Sequence, residues 1–510
     1  DRSLIDYGKY QRLVGHAGVK HSVAVQATRG CPYRCFYCDI YKTTKHHFRR
    51  SDEHLFEEIR ILYDSGIRRI EFIDDIFNVN VKGFARFFEF VIKNNFKIQF
   101  FFPTGLKGDL LNYELIDLMI EGGSVGVNLS LEHASPRVQT VMRKGLDVDK
   151  LHDNLQYITK NHPQAILTLN AMHGIPSETE EEARETLDYI KSIEWIDFPY
   201  LHNVRIFPGT EIEHFALEVG IPQEIIDASQ DMSYHEHSPT LPFEEEFTNA
   251  IKADFLKNYV FNRQRLTERL RQQLKVFSVE ELDQRYNAFF PNKRLNSVAQ
   301  IIDVFKLDKQ KIFPKKLVED EDFKPNNFLR DFQKNYVDYS IKHKGDLARI
   351  KLRASHRLLL IDASTYFETE ISSREYNVLE PPLGLLALAT FVNDNIHDET
   401  PVSIKIVKSK IDFNSFEELM EVVDEFGPSL IGIRAMTFYK GLFHDMVAAI
   451  KNSFPNIPVI GGGPYPTASY PELVFDEHID ALAVGEGETT LLDVIVAMDA
   501  VGGKWPSKQS

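Results

Sequence analysis

Hydrophobic and polar positions alternate along the first two hundred residues in two rhythms. Short apolar runs at 21–26, 70–75, 98–102, 125–131, 166–171 and 201–207 are separated by stretches with helical spacing, as in Leu55, Ile59 and Leu62 ahead of the breaker Gly66. The short runs predict strands and the 3–4 spacing predicts helices. Six strand–helix units in succession imply parallel strands with right-handed crossovers, which fit an α/β fold of the partial (β/α)6, TIM-like type. Chemistry in such barrels sits at the C-terminal ends of the strands.

After Pro242 the rhythm changes. Helical spacing runs through 247–274 and again through 297–305, predicting a helical appendage, and the basic, polar stretch 342–353 reads as a linker. A second alternation follows, with strands expected at 357–362, 402–407, 430–434, 458–461 and 481–484. Five short strands between helices predict a Rossmann-like, doubly wound sheet that binds ligands beyond the strands' C-terminal ends. The expected domains are therefore 1–225, 226–350 and 355–510. A chain of 510 residues is long enough for two or three such cores.

Composition adds exclusions. Hydrophobic residues at 43% and charged residues at 26% are those of a globular protein, and the formal net charge of −16 argues against general nucleic-acid or anionic-membrane binding. No apolar stretch approaches the ~18 to 20 residues of a membrane span, and the polar start Asp1-Arg2-Ser3 carries no secretory pattern. A cytoplasmic protein is expected.

All three cysteines fall in one octapeptide, Cys31-Pro32-Tyr33-Arg34-Cys35-Phe36-Tyr37-Cys38, directly after the first expected strand. Three thiolates at this spacing suit a soft metal centre, and an iron–sulfur cluster on three cysteines leaves one iron open for chemistry. Buried thiols or a zinc site are the alternatives, although structural zinc normally takes four ligands. With every cysteine in one motif there is no disulfide framework and no second cysteine-ligated cluster. Tyr234-His235-Glu236-His237 lacks the i, i+4 spacing of a helical metal pair and reads as loop or surface. In the last domain, Gly461-Gly462-Gly463-Pro464-Tyr465-Pro466-Thr467 and Gly485-Glu486-Gly487-Glu488 follow expected strands, where side-chain-free backbone admits a ligand closely. Neither is the dinucleotide fingerprint G-x-G-x-x-G.

The spacing C-x-x-x-C-x-x-C, with an aromatic before the last cysteine, resembles the radical S-adenosylmethionine (SAM) superfamily. The resemblance implies a [4Fe-4S] cluster on Cys31, Cys35 and Cys38, SAM on the open iron, and Tyr37 against the adenine. Asp74 and Asp75 stand where that family contacts the SAM amino group, although its usual Gly-Gly-Glu is absent. Ser130-Leu131-Glu132-His133-Ala134-Ser135-Pro136 is similar to the family's Glu-Ser-Gly-Ser-Pro segment, which implies that Glu132 contacts SAM. The turns Gly174-Ile175-Pro176-Ser177-Glu178-Thr179 and Phe207-Pro208-Gly209-Thr210 also match family turns and are read as structural. The helical appendage is expected, on the same resemblance, to close over the substrate.

The last domain resembles the cobalamin-binding domain of B12-dependent radical SAM enzymes. The likeness rests on Pro381-Pro382-Leu383-Gly384-Leu385-Leu386, the Gly-Gly-Gly-Pro loop and Val484-Gly485-Glu486-Gly487-Glu488. It implies a corrin site that includes Pro382, Gly461, Gly462, Gly463, Pro464, Thr467, Gly485, Glu486 and Gly487. The motif that carries an axial histidine elsewhere is absent, and Met436 and Thr437 stand near the expected corrin face instead. A domain that keeps its glycine loops for packing and binds no corrin is the alternative. In that family the cobalamin domain precedes the barrel. Here Gly503-Lys504-Trp505-Pro506 and Asp1 to Tyr10 read as two halves of one linker, so a permuted order or a numbering that starts at an internal point is expected.

Taken together, the resemblance implies reductive cleavage of SAM, hydrogen abstraction by a 5′-deoxyadenosyl radical and methyl transfer through methylcobalamin to an unactivated carbon. A small-molecule or peptide substrate and an electron donor such as flavodoxin or ferredoxin are the expected partners. Cyclisation or ring contraction on the same scaffold, and a non-catalytic metal-stapled binding protein, are the competing readings.

Overall fold

The computed structural model describes residues 1–10, 18–40, 44, 46–230, 232, 234, 236–290, 295–343, 349–367 and 380–505. It forms two compact units: one of Val14–Tyr41 and Lys45–Asn326, the other of Asp1–Leu13, Lys42–Thr44 and Asn327–Ser510.

The first unit is built on six parallel strands, β1 (Ser22–Val25), β2 (Arg69–Phe72), β3 (Gln99–Phe101), β4 (Ser124–Glu132), β5 (Ile166–His173) and β6 (Phe198–Asn203). They pair in sequence order without closure of the sheet, as expected for a partial barrel. The helices between them start on side-chain caps. Ser51, Asn80, Asn112 and Asp147 each accept a backbone N–H of the first turn, and Thr179 closes a capping box with Glu182. Leu55, Ile59 and Leu62 are fully buried, as their spacing predicts.

Several boundaries differ from expectation: β2 ends at Phe72, so Asp74 and Asp75 lie beyond it. The sixth strand begins at Phe198 and ends at Asn203, so it includes Pro199 and omits 204–207. A proline has no N–H for the ladder, but β6 is an edge strand, where that loss is tolerated. The stretch 247–274 is not one helix. It divides into Glu245–Asp254, a π-helical turn Phe255–Val260 and Arg263–Gln273, because the Asn262 side chain accepts from Gln264 N and Arg265 N and starts a new helix.

Within the expected appendage, Tyr234, Glu236 and Phe243 pack at the C-terminal ends of β5 and β6, with Asn203 N and Nδ2 donating to the Tyr234 and Glu236 carbonyls. The helices from Arg263 onward do not close over the substrate side, contrary to the sequence-based expectation, but cover the N-terminal ends of the strands. Arg69, the first residue of β2, is fully buried and donates to Glu281 Oε1 at 2.7 Å and to Val276 O at 2.6 Å. Arg265 donates to the carbonyls of Ile196 and Asp197 just before β6. Phe277, Leu274 and Leu270 join Phe101, Ile166 and Phe198 in one buried cluster. The barrel is thus plugged from below, and the C-terminal strand ends are left for the loops.

The second unit carries five parallel strands, β7 (Arg357–Asp362), β8 (Ser403–Lys408), β9 (Leu430–Arg434), β10 (Val459–Gly462) and β11 (Ala481–Leu482), in the order β8-β7-β9-β10-β11. Their inner faces and the helices Phe416–Phe426 and Lys440–Ser453 enclose a core that includes Leu359, Ile361, Val407, Ile431, Ile433 and Val459. The stretch read as a linker is more ordered than that: a helix runs Phe328–His343, and Ile350 bridges Ile396, while 344–348 lie outside the described residues. Pro506, part of the proposed linker, and His235 also lie outside them.

Candidate functional site

The cysteine loop follows β1 and is held from three sides. Phe36 is its apolar anchor, buried among Val138, Met142, Ile175, Ile206 and Ile212. Its backbone N–H donates to Met142 O at 3.1 Å and its carbonyl accepts from Ile212 N at 3.0 Å. Asp74, 1% exposed, accepts from Ala27 N at 3.0 Å, from Thr28 Oγ1 at 2.6 Å and from Thr28 N. Asp75 Oδ2 accepts from Gly30 N at 2.8 Å, immediately before Cys31. The two carboxylates therefore fix the backbone that delivers the cysteines. Asp75 caps no helix, since the next one starts on Asn80. Burial raises the Asp74 carboxyl to about 6 against the pull of those donors.

Cys31, Cys35 and Cys38 are half-buried and free of disulfides, and each lies within reach of the others' charge. Burial raises all three thiols, Cys38 to about 12. Thiolates in that setting need a cationic partner, which the irons of a cluster supply. Among the described residues, no three His, Cys, Asp or Glu side chains converge as ligands of a single ion. Cubane ligation does not require such convergence, because each thiolate binds a different iron. The residues fit a cluster better than a structural zinc.

Glu132 stands at the end of β4 after a register shift, with φ +65°. Its carboxylate meets Lys144 Nζ at 2.6 Å, and the same ammonium lies 3.4 Å from the Tyr37 hydroxyl. Burial and then the Glu132 charge hold the Tyr37 phenol well above its usual range. Lys144 is a site residue that the sequence reading missed. Its only signal is a cation twelve positions after Glu132, and a chain reversal is needed to bring the two together. His133, in the segment after β4, and Glu178, in the turn after β5, also lie against each other. Nε2 lies 3.0 Å from Oε1, Ser135 N donates to the His133 Nδ1, and Glu178 Oε2 accepts from Gly174 N and Ile175 N. That buried pair ties the turns after β4 and β5 together, a structural role.

Ser130 pairs in register with Asn170, and Asn170 with Tyr200, so the three share one face of the sheet. All are half-buried, and Tyr200 stacks on His202 with ring centroids 5.3 Å apart. Phe198, two residues earlier on that face, belongs to the plug below. Ser130, Asn170, Tyr200 and His202 therefore line this face with polar groups, and the Arg285 guanidinium donates to the Tyr200 hydroxyl at 3.4 Å.

In the second unit the two glycine loops are joined: Gly485 N donates to Thr467 Oγ1 at 3.1 Å. Gly463 has φ +90°, and a Cβ there would lie 2.7 Å from Arg434 Cγ, so only glycine fits. Gly461 is confined by Leu482 and Phe443, a packing role, whereas a Cβ on Gly462 meets only an ordinary contact. Pro464 opens the helix Pro464–Ala468, Gly487 caps Glu488–Ala500, and Pro382 caps Leu383–Asn395. Met436 is 43% exposed, Thr437 is buried and Glu486 is exposed. The sequence reading passed over the charged strand ends Asp362, Lys408 and Arg434, which adjoin these loops.

Residues 25–190 match the family model of the radical SAM superfamily, and residues 373–495 match that of the B12 binding domain. The chain therefore carries the domain that works with a [4Fe-4S] cluster and SAM, followed by a cobalamin-binding domain. An uncharacterized methyltransferase of Pyrococcus horikoshii is 29% identical over 195 residues, 38% of this chain and 41% of the relative. A ribosomal protein uS12 methylthiotransferase of Histophilus somni is 25% identical over 251 residues, 43% of this chain and 54% of the relative. The chain spans about half the length of these curated relatives. Among solved structures, the radical SAM methyltransferase TsrM of Kitasatospora setae aligns with TM-score 0.37 and 18% identity, over 42% of this chain and 39% of that one. The cobalamin-dependent SAM radical enzyme OxsB aligns with TM-score 0.37 and 13% identity, over 63% and 55%. Among the described residues no helix is long and apolar enough to cross a membrane.

Proposed function

We propose that this chain is a cobalamin-dependent radical SAM enzyme that methylates an unactivated carbon, with SAM as the source of the methyl group. One observation carries the reading. The three-cysteine loop is clamped by Asp75 and Asp74 beyond the C-terminal end of β1, where parallel barrels place their chemistry, on a chain that also matches the B12 binding domain. Bound to these residues, a [4Fe-4S] cluster supplies the electron for reductive cleavage of SAM, and a corrin carries the methyl group.

The protein's own part is to hold and to orient. Cys31, Cys35 and Cys38 hold the iron, and Phe36 keeps their loop from moving. The Glu132 carboxylate and Lys144 ammonium present opposite charges, suited to the ammonium and carboxylate at the methionine end of SAM. Tyr37 borders the same space. Ser130, Asn170, Tyr200 and His202 offer hydrogen bonds to a polar substrate, a small molecule or a peptide segment, while the plug of Phe277 and Leu274 keeps water from entering below. The electron donor is a small redox protein such as flavodoxin or ferredoxin.

Anaerobic reconstitution with iron and sulfide, followed by SAM and reductant, tests the reading. Wild type is expected to release 5′-deoxyadenosine, and Cys35→Ala to release none above background. S-adenosylhomocysteine should form in step with a gain of one methyl by substrate. Absence of 5′-deoxyadenosine from the reconstituted wild type would refute the proposal. Its formation without methyl gain would replace methyl transfer with rearrangement or cyclisation.

A further inference from the structure

At the C-terminal edge of the five-stranded sheet, charged residues stand side by side in register. Lys408, the last residue of β8, pairs with Asp362, the last of β7; Asp362 pairs with Arg434, the last of β9; and Arg434 pairs with Gly462, the last of β10. The Asp362 carboxylate is 1% exposed and accepts from both cations, from Lys408 Nζ at 2.6 Å on Oδ2 and from Arg434 Nη1 at 2.8 Å on Oδ1. Lys408 also donates to Ser364 Oγ at 2.7 Å and is enclosed. Two cations on one carboxylate leave one positive charge in excess among these three residues.

That excess resides on Arg434. Its side chain is 28% exposed, and among the described residues its one hydrogen bond is to Asp362, so most of its five donors remain available. Its stem runs beside Gly463, where a Cβ would lie 2.7 Å from Arg434 Cγ, so glycine leaves the room that this side chain occupies. Asp362 in turn fixes one edge of the fork. A planar guanidinium held by a buried carboxylate, part-exposed and beside the glycine loop, suits a phosphate-type oxyanion.

We propose that Arg434, positioned by Asp362, is the anion-binding residue of this edge and takes a phosphodiester of the bound ligand. Resting on the corrin reading above, that group is the phosphate of cobalamin's nucleotide tail. The macrocycle alone would then hold less firmly than the complete cofactor.

Cobinamide, which keeps the corrin ring and lacks the phosphate and nucleotide, separates the two ideas. Absorbance titrations of the full chain with cobalamin and with cobinamide are expected to show cobalamin tighter by on the order of tenfold or more, the worth of a charge-assisted contact. Arg434→Met should remove that preference and leave cobinamide affinity unchanged, with Arg434→Lys intermediate. Binding of neither corrin by wild type would sink the corrin reading itself. Equal wild-type affinity for the two, a comparison that needs no variant, would overturn the role of Arg434. So would an Arg434→Met protein that keeps the preference or weakens both ligands alike.

Discussion

Glu132 leaves the end of β4 in a left-handed backbone conformation, and its carboxylate meets Lys144 Nζ at 2.6 Å beside the cysteine loop. A charge-assisted contact to SAM from either member is worth about 1.5 to 3 kcal/mol. Glu132→Gln and Lys144→Met are therefore expected to weaken SAM binding to the reconstituted protein on the order of tenfold or more. Iron content should be unchanged. Equilibrium binding of SAM measures the first effect and iron analysis the second. Unaltered SAM affinity in both variants would remove this pair from the site.

Asp75 predicts a different loss. Its carboxylate receives Gly30 N at the entrance to the cysteine loop, and removing an acceptor from a half-buried N–H costs about 1 to 3 kcal/mol. Asp75→Ala should fold and retain its helices by circular dichroism, yet take up less iron and sulfide per chain on reconstitution than wild type. Full cluster occupancy in the variant would show that the clamp is dispensable.

Arg69 and Glu281 join the plug to the strands with both side chains fully buried. Lys20 N and Ser278 N also donate to Glu281, and the Arg69 guanidinium stacks 3.5 Å above the Phe323 ring. Breaking a buried pair on one side leaves an uncompensated charge, at a cost of about 3 to 5 kcal/mol. Glu281→Gln and Arg69→Met should each lower stability by that order in denaturant titrations. The double variant should lose less than the sum of the two.

The second unit has an acid limb with a defined sign. Burial alone would raise the Asp362 carboxyl, but the Lys408 and Arg434 charges outweigh it and bring it from the ordinary 3.8 down to about 2. A carboxyl depressed on folding stabilises the fold above its unfolded value and loses that contribution as pH falls toward the folded one. The contribution is about 2 kcal/mol, lost between about pH 4 and 2. Stability measured against pH should therefore fall more steeply over that window in wild type than in Asp362→Asn. Parallel curves would contradict it.

Much of this protein is legible locally. Cysteine spacing, the alternation of short apolar runs with helical spacing, and glycine-rich strand ends depend only on neighbours in the chain, and so the six-strand and five-strand sheets, their cofactors and the loops that meet them can be read in order. Strands 357–362 and 430–434 appear where the pattern puts them. Pro199 hid the start of β6, because whether a proline is tolerated depends on the strand lying at an edge. Other features were decided only by tertiary structure: the end of the barrel that the helices cover, Lys144 as partner of Glu132, Asp74 and Asp75 as clamps on the loop's N–H groups, and Lys408, Asp362 and Arg434 in one row. Each depends on strand register or on a crossover that brings distant residues within a few ångströms. A linear pattern carries no term for that distance, whereas hydrogen bonding and charge pairing are governed by it.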